Sequence, residues 1–374
     1  MTCEIVCLES ISAIPARQWD DLAQGNPLLS HSYLEALEAT HCAAPRTGWA
    51  ARHLALLRGG SLRAAMPLYA KNHSRGEYVF DHAWANAYAR YGMSYYPKLV
   101  SAVPFTPVPG PRLLAYDRHD QLLLLEAAKQ LLREQGYSSL HILFPQEDEL
   151  GVLQQAGLLL RSNIQFHWQN PGYRDMDAFL AALTQPKRKK LRQDRRRVSQ
   201  AGIEFRALAG PQITGATLRF LYLCYMQTYL EHGNTPYLNL DFFERLHDRL
   251  ASAMVVILAE RAGVPIAAAL NIRHGDRLYG RYWGCTESIP GLHFETCYMQ
   301  GMEYCIAHGI RVFEGGAQGE HKLARGMLPV RTLSAHWIED PVFGPAIADF
   351  LEKETPFVQQ YLNELMEHSP YRTP

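Results

Sequence analysis

LALLRGGSLRAAMPL, Leu54 to Leu68, and VILAERAGVPIAAAL, Val256 to Leu270, are two versions of one pattern. In each, a short apolar run meets an Arg- and Gly-containing turn and returns as a second run rich in small residues. Glycine at the turn supplies positive φ, and small side chains admit a close backbone or ligand, so both read as β-hairpins. A helix and a strand follow each of them. Leu122 to Gln135 has helical apolar spacing, stops at Gly136 and leads into Ser139–Phe144. His293 to His308 is likewise helical, stops at Gly309 and leads into Ile310–Glu314. Glycine directly after a helix is the usual left-handed cap. The same order of elements, met twice, predicts an internal duplication and an α/β chain with α+β mixed sheets.

A chain of 374 residues accommodates two domains of ordinary size. The boundary is expected at Pro171–Gly172, after the strand-like Ser162–Gln169, giving domains 1–170 and 171–374. The first half differs by a stretch from Tyr95 to Arg112 with five prolines and the aromatics Tyr95, Tyr96 and Phe105. Prolines at this density argue against an interior helix or a central strand and leave a structural strap or a binding loop, of which length and aromatic content favour the loop.

Composition narrows the function classes. With 47% hydrophobic and 20% charged residues the chain is globular, and a formal net charge of zero gives no global field to steer nucleic acid or membrane. Any such partner must meet a local patch. Seven scattered cysteines without a C-x-x-C pair fit reduced thiols in the cytoplasm, and the histidines show no H-E-x-x-H spacing, so no metal is expected. The N-terminus lacks the basic flank of a signal peptide, and no apolar run reaches the roughly 20 residues of a membrane span.

Three segments concentrate chemistry. Lys187 to Arg197 holds eight cations in eleven residues, with Asp194 the sole acid, and reads as a helix for phosphates of a donor, a tRNA end or a lipid-linked precursor; the plain alternative is a solvated face. Lys187, Arg188, Lys190 and Arg195 are its candidate anion ligands. The loop Phe313–Gly326 follows a strand and packs Gln318, Glu320, His321, Lys322 and Arg325 among four glycines. Its spacing is neither that of a P-loop nor of a dinucleotide fold, but glycines permit close approach while His and Glu move protons near neutral pH. The strand Leu278–Gly284 places Tyr279 and Arg281 on one face and Tyr282 on the other, and Pro290–Glu295 opens a helix behind it. In the first half, Lys71, His73, Ser74, Arg75, Glu77, Asp81 and His82, followed by Trp84, Tyr88, Tyr91 and Tyr95, read as the lining of an acceptor pocket, or as an ordinary strand, polar turn and capped helix. No nucleophile elbow is present.

The stretches Gly76–Asp81, Tyr95–Lys98, Pro104–Pro107, Phe166–Trp168, Leu278–Gly284 and Gly315–Lys322 resemble the FemAB-like family of N-acyltransferases over nearly the whole chain. That family lies near the Fem peptidyltransferases and the GNAT superfamily. The resemblance implies two tandem GNAT-like acyl-CoA N-acyltransferase domains, 1–170 with the proline-rich insert and 171–374. It also implies a link to peptidoglycan or other cell-envelope chemistry. The GNAT pyrophosphate motif is missing before the helix at His293, and no coiled-coil arm of tRNA-using Fem enzymes is present.

The expected activity is direct transfer of an acyl or aminoacyl group to an amine, without a covalent enzyme intermediate. Acyl-CoA or aminoacyl-tRNA is the donor, and a small molecule or peptidoglycan precursor is the acceptor. No metal or tightly bound cofactor takes part. Glu320 and His321 are expected to handle protons, and Tyr279 to assist at the reacting carbonyl. Lys322, Arg325, Arg281, Gln318, Asp81, His82 and Lys98 are expected to hold substrate. Two other readings are a catalytically inactive GNAT-like module that binds a cell-wall precursor or tRNA, and a nucleic-acid binder acting through the basic helix.

Overall fold

A computed structural model describes residues 3–316 and 319–372. They pack as two compact units, Met1–Asn163 with Arg331–Gln360, and Ile164–Val330 with Tyr361–Pro374.

In the first unit the chain runs β1 (Cys3–Leu8), α1 (Ala16–Ala23), α2 (His31–Ala39), β2 (Trp49–Ala51), β3 (His53–Arg58), β4 (Ser61–Met66), β5 (Tyr69–Lys71), α3 (His82–Arg90), β6 (Lys98–Ser101), β7 (Leu114–Ala115), α4 (Arg118–Gln135), β8 (Ser139–Leu143) and α5 (Leu150–Gln155). The hairpin β3–β4 turns on Gly59 and Gly60, both at positive φ. Strands β1, β3, β4 and β7 form an antiparallel sheet in the order β1-β3-β4-β7. In a second set β2 pairs β5, β5 pairs β6, and β6 runs parallel to β8, which also pairs Ser334–Ile338.

The local chemistry of α4 explains its bounds. The Asp117 carboxylate accepts from the Asp120 amide at 2.8 Å, and Gly136 closes the helix at φ 68°. Leu124, Leu125, Ala128 and Leu132, on one stripe, are buried against Leu99, Leu140 and Ile142. Strand β6 corrects the reading of the proline-rich stretch. Lys98 to Ser101 is a strand with a neighbour on either side. Pro97 and Pro104 flank a proline-free run long enough to keep its ladder amides.

The second unit repeats the plan with β9 (Leu159–Gln169), α6 (Met176–Ala182), α7 (Gln185–Gln200), β10 (Ile203–Ala209), α8 (Gly215–Glu231), α9 (Leu240–Leu250), β11 (Met254–Arg261), β12 (Val264–His274), β13 (Arg277–Cys285), α10 (Leu292–Phe294), α11 (Gln300–Ala307) and β14 (Val312–Glu314). Its strands lie in the order β10-β11-β12-β13-β14-β9. Hairpin β11–β12 matches β3–β4, and each pair carries a register shift, at Ala259/Glu260 and at Leu56/Leu57. The parallel pair β13–β14, joined through α10 and α11, matches β6–β8 joined through α4. The duplication is therefore structural: a hairpin, then two parallel strands connected by a helix that covers one face. Two further elements, β15 (Leu328–Ile338) and α12 (Phe343–Glu367), complete the chain.

Candidate active site

Strands β13 and β14 are paired only from Arg277 to Tyr279, against Val312 to Glu314. β14 stops there, while β13 continues to Cys285. One residue beyond Tyr279 the register against β12 slips, since Asn271 faces Gly280 but Leu270 faces Tyr282. Arg281 is the extra residue of a β-bulge, which bends β13 and opens a gap beside it. The bulge also alters the expected alternation: it returns Tyr282 to the Tyr279 side, where it meets Tyr225 and Phe243 of α8 and α9 at 5.1 and 6.0 Å. The glycines of β13 have packing reasons. A Cβ on Gly284 would lie 1.9 Å from the Cys224 carbonyl oxygen of α8, and one on Gly280 would lie 3.3 Å from the Phe313 ring.

At the gap is a cavity of about 110 Å³ lined by Arg281, Trp283, His293, Cys297, Tyr298 and Gly315, among others. His293 stacks on Trp283 at 4.4 Å. Burial, reinforced by nearby His321, Arg325 and Lys322, lowers its imidazole to about 4, so it is neutral near pH 7. The helix read from His293 to His308 is interrupted by a π-turn, Glu295–Met299, which carries Cys297 and Tyr298 into the cavity wall. Burial pushes the Cys297 thiol up, opposed by Lys322.

The glycine-rich loop borders this cavity. The Tyr298 hydroxyl and His321 Nε2 are 3.4 Å apart. Partial burial holds the His321 imidazole below its ordinary range, with Arg325 and Lys322 adding to the effect. Arg325 lies 3.4 Å over the Phe294 ring and donates to the His321 carbonyl at 2.6 Å. Lys322 is buried, donates to the Gly316 carbonyl at 2.9 Å, and is lowered to about 8 by burial. Glu320 is exposed and accepts from the Tyr361 hydroxyl. Gln318 lies outside the described residues.

The opposite face of the same strands carries a second group. Glu314 follows Phe313, which packs on α11, so its side chain points the other way, in register with Tyr279 on one side and His167 on the other. Its Oε1 accepts from Arg277 at 2.8 Å. Its Oε2 has no hydrogen-bond partner among the described residues, with His167 Nε2 at 3.7 Å. Tyr279 and Arg281, singled out from sequence, belong to this side; Glu314, Arg277 and His167 were not recognised there. Their signal was the register itself, which only strand pairing reveals.

In the first unit, Lys98 and Asp81 do meet. Lys98 Nζ donates to Asp81, to Glu77 at 2.8 Å and to Ser74 at 2.9 Å, and all three charged side chains are buried. Tyr95 donates to Asp81 at 2.7 Å, and its hydroxyl lies 3.1 Å from His141 Nε2, which is also 2.7 Å from Ser139 Oγ. His141 Nδ1 and His336 Nδ1 share a hydrogen bond at 2.6 Å, and His336 Nε2 shares one with Ser334 Oγ at 2.8 Å. Burial keeps both imidazoles neutral by lowering them. Burial also raises Glu77 to about 7 and lowers Lys71 to about 7. His82 stands apart from this network, exposed on α3 beside Phe80.

The basic run is helix α7. Arg195 is turned inward to Glu295 at 3.0 Å and Glu303 at 2.7 Å, and Lys190 pairs with Asp194 at 2.8 Å. Glu295, the first residue of the π-turn after α10, is therefore paired with Arg195. Arg188 donates to the Ala181 carbonyl at 3.4 Å, and Lys187 and Lys189 have no carboxylate partner among the described residues. Among those residues, no three His, Cys, Asp or Glu side chains group to hold a metal ion, and no helix is long and apolar enough to cross a membrane.

A family model described as FemAB-like, peptidoglycan biosynthesis and recognition, matches residues 10–373. The chain belongs to the FemAB-like family. Among solved structures this FemAB-like chain is similar to FemX, with a TM-score of 0.55 at 12% identity over 93% of this chain and 100% of that one. It is also similar to L-PGS from Bacillus licheniformis, with a TM-score of 0.51 at 11% identity over 86% and 96%. Identities this low establish the fold alone, a mixed α/β arrangement with large mixed sheets. No curated protein matches the FemAB-like chain in sequence.

Proposed function

We propose that the second unit transfers an acyl or aminoacyl group from an activated donor to an amine, with acyl-CoA or aminoacyl-tRNA as donor and an amine of a peptidoglycan precursor as acceptor. The observation that carries this reading is the parting of β13 and β14 at the Arg281 bulge, which opens a cavity bordered by a dense group of titratable side chains. The family description, with its reference to peptidoglycan biosynthesis, supports the acceptor class.

In this mechanism the amine attacks the donor carbonyl, the new C–N bond forms, and the donor C–S or C–O bond breaks. The leaving sulfur or oxygen takes a proton from the Tyr298 hydroxyl, which burial keeps protonated, and His321 at 3.4 Å resupplies it. Lys322, Arg325 and the exposed α7 cations meet anionic parts of the donor, and Glu320 is the alternative proton carrier at the loop. Tyr279 and Arg281 face the acceptor on the far side of the strands. Asp81 and Lys98, locked in their own buried pair, would order the first unit rather than bind substrate directly.

The test is a thermal-shift titration with CoA, acetyl-CoA and alanyl-tRNA. A ligand at about 100 times its Kd adds roughly 2.7 kcal/mol of stability. A shift with acetyl-CoA alone selects CoA as the donor carrier, and a shift with alanyl-tRNA alone selects tRNA. No shift with any of them would overturn the transferase reading in favour of a binding module.

A further inference from the structure

Glu314 is a buried carboxylate at a strand end. It is the last residue of β14, at the point where the parallel pair ends and the gap begins. Arg277 fixes Oε1, and the second oxygen, buried, accepts no hydrogen bond among the described residues. A buried carboxylate oxygen left without a donor is destabilising unless something else completes it. The groups around it are Arg277, Tyr279 and Arg281 on β13 and His167 on β9, while Lys322 acts on His167 from the loop. Burial lowers His167 to about 3, so it is a neutral neighbour. Arg277, whose side chain is 44% exposed, links the carboxylate to solvent.

We propose that Glu314 Oε2 is the base that receives the proton of the attacking amine. This rests on the transferase reading and assigns the step that reading leaves open. As nitrogen bonds to the acyl carbon it becomes positively charged, and its N–H proton passes to Oε2. On the other face Tyr298 gives a proton to the leaving group, so one proton is gained and one lost in each turnover. Solvent reaching the carboxyl beside the half-exposed Arg277 takes the proton away, and the guanidinium stays charged throughout. Two protons handled on two faces of the parted strands explain why a carboxylate is kept where the sheet opens. Burial raises this carboxyl to about 7 against the pull of Arg277 and Arg281, which matches a base working near neutral pH.

Wild type, Glu314→Gln and Glu314→Asp are compared across about pH 5 to 9 with acetyl-CoA and with alanyl-tRNA, using a lysine-containing peptide as amine. Expected are a kcat about 10²- to 10⁴-fold lower in the amide variant, a KM within a few-fold, and loss of the acidic limb near pH 7. Glu314→Asp should keep a limb at reduced rate, and it carries the test should the amide variant not fold. A limb and rate unchanged in Glu314→Gln would overturn the assignment while leaving the transferase reading intact. Wild type forming no product from either donor would instead sink that reading, and the assignment with it. A second readout needs no turnover. A folded-state carboxyl raised from 4.5 to about 7 makes wild type lose stability as pH rises through that window, and Glu314→Gln should not. Parallel stability curves for the two proteins would also overturn the assignment.

Discussion

At the scale of single residues, the first unit is organised around one buried cation. Lys98 is fully buried between Asp81 and Glu77, and the neutral imidazoles of His141 and His336 extend the bonded chain from Asp81 to Ser334. Removing one member of a buried pair leaves an uncompensated charge, which costs about 3–5 kcal/mol. Lys98→Met should therefore lower the urea unfolding midpoint by that equivalent, and Lys98→Met with Asp81→Asn should lose less than the two single changes added together. Strict additivity in the cycle would show that the residues do not act as one network. The same logic explains why Asp81 was legible in sequence as part of a polar cluster, while its pairing with Lys98 was not. Charge and spacing reveal which residues are unusual, but burial decides whether they meet a ligand or one another.

At the scale of elements, glycines separate backbone need from packing need. Gly263 in the β11–β12 turn has φ +75° and open space around its Cβ position, so Gly263→Ala meets only the left-handed backbone penalty of roughly 1–2 kcal/mol. Gly284 has no such φ, yet an added Cβ would sit 1.9 Å from a backbone oxygen of α8. Overpacking costs typically 1–3 kcal/mol and more where backbone must move, so Gly284→Ala should be the more damaging change in thermal melts. Equal losses at both positions would contradict this close approach of α8 to β13. The basic helix shows the same split. Its eight cations were obvious, but Arg195 serves Glu295 and Glu303, because one side of α7 packs inward through Leu191 and Val198.

At the scale of the whole molecule, the chain contributes to each unit from two separate stretches. Segment 331–360 supplies the ladder Ser334–Ile338 on β8 and the core residues Phe343, Ile347 and Leu351 of the first unit. Residues His167–Gln169 pair with β14 in the second, where Trp168 is fully buried. Fragments cut at 170/171 should each be insoluble alone and recover a cooperative melt only when co-expressed. A fragment that melts cooperatively by itself would refute this.

The sequence by itself determined the duplicated hairpin, the helix that ends in glycine, the strand after it and the glycine-rich loop, because turns, caps and apolar periodicity are local properties of the chain. It also pointed to Tyr279, Arg281, His321 and Lys322 by their company. Only the tertiary structure decided that β13 and β14 part at a bulge, that Trp283, His293, Cys297 and Tyr298 wall one side, and that Glu314 stands on the other. It likewise put Lys98–Ser101 inside a sheet despite the prolines on either side. The reason is physical: register, bulges and the burial of charge depend on contacts between residues far apart in the chain, and no local pattern encodes them.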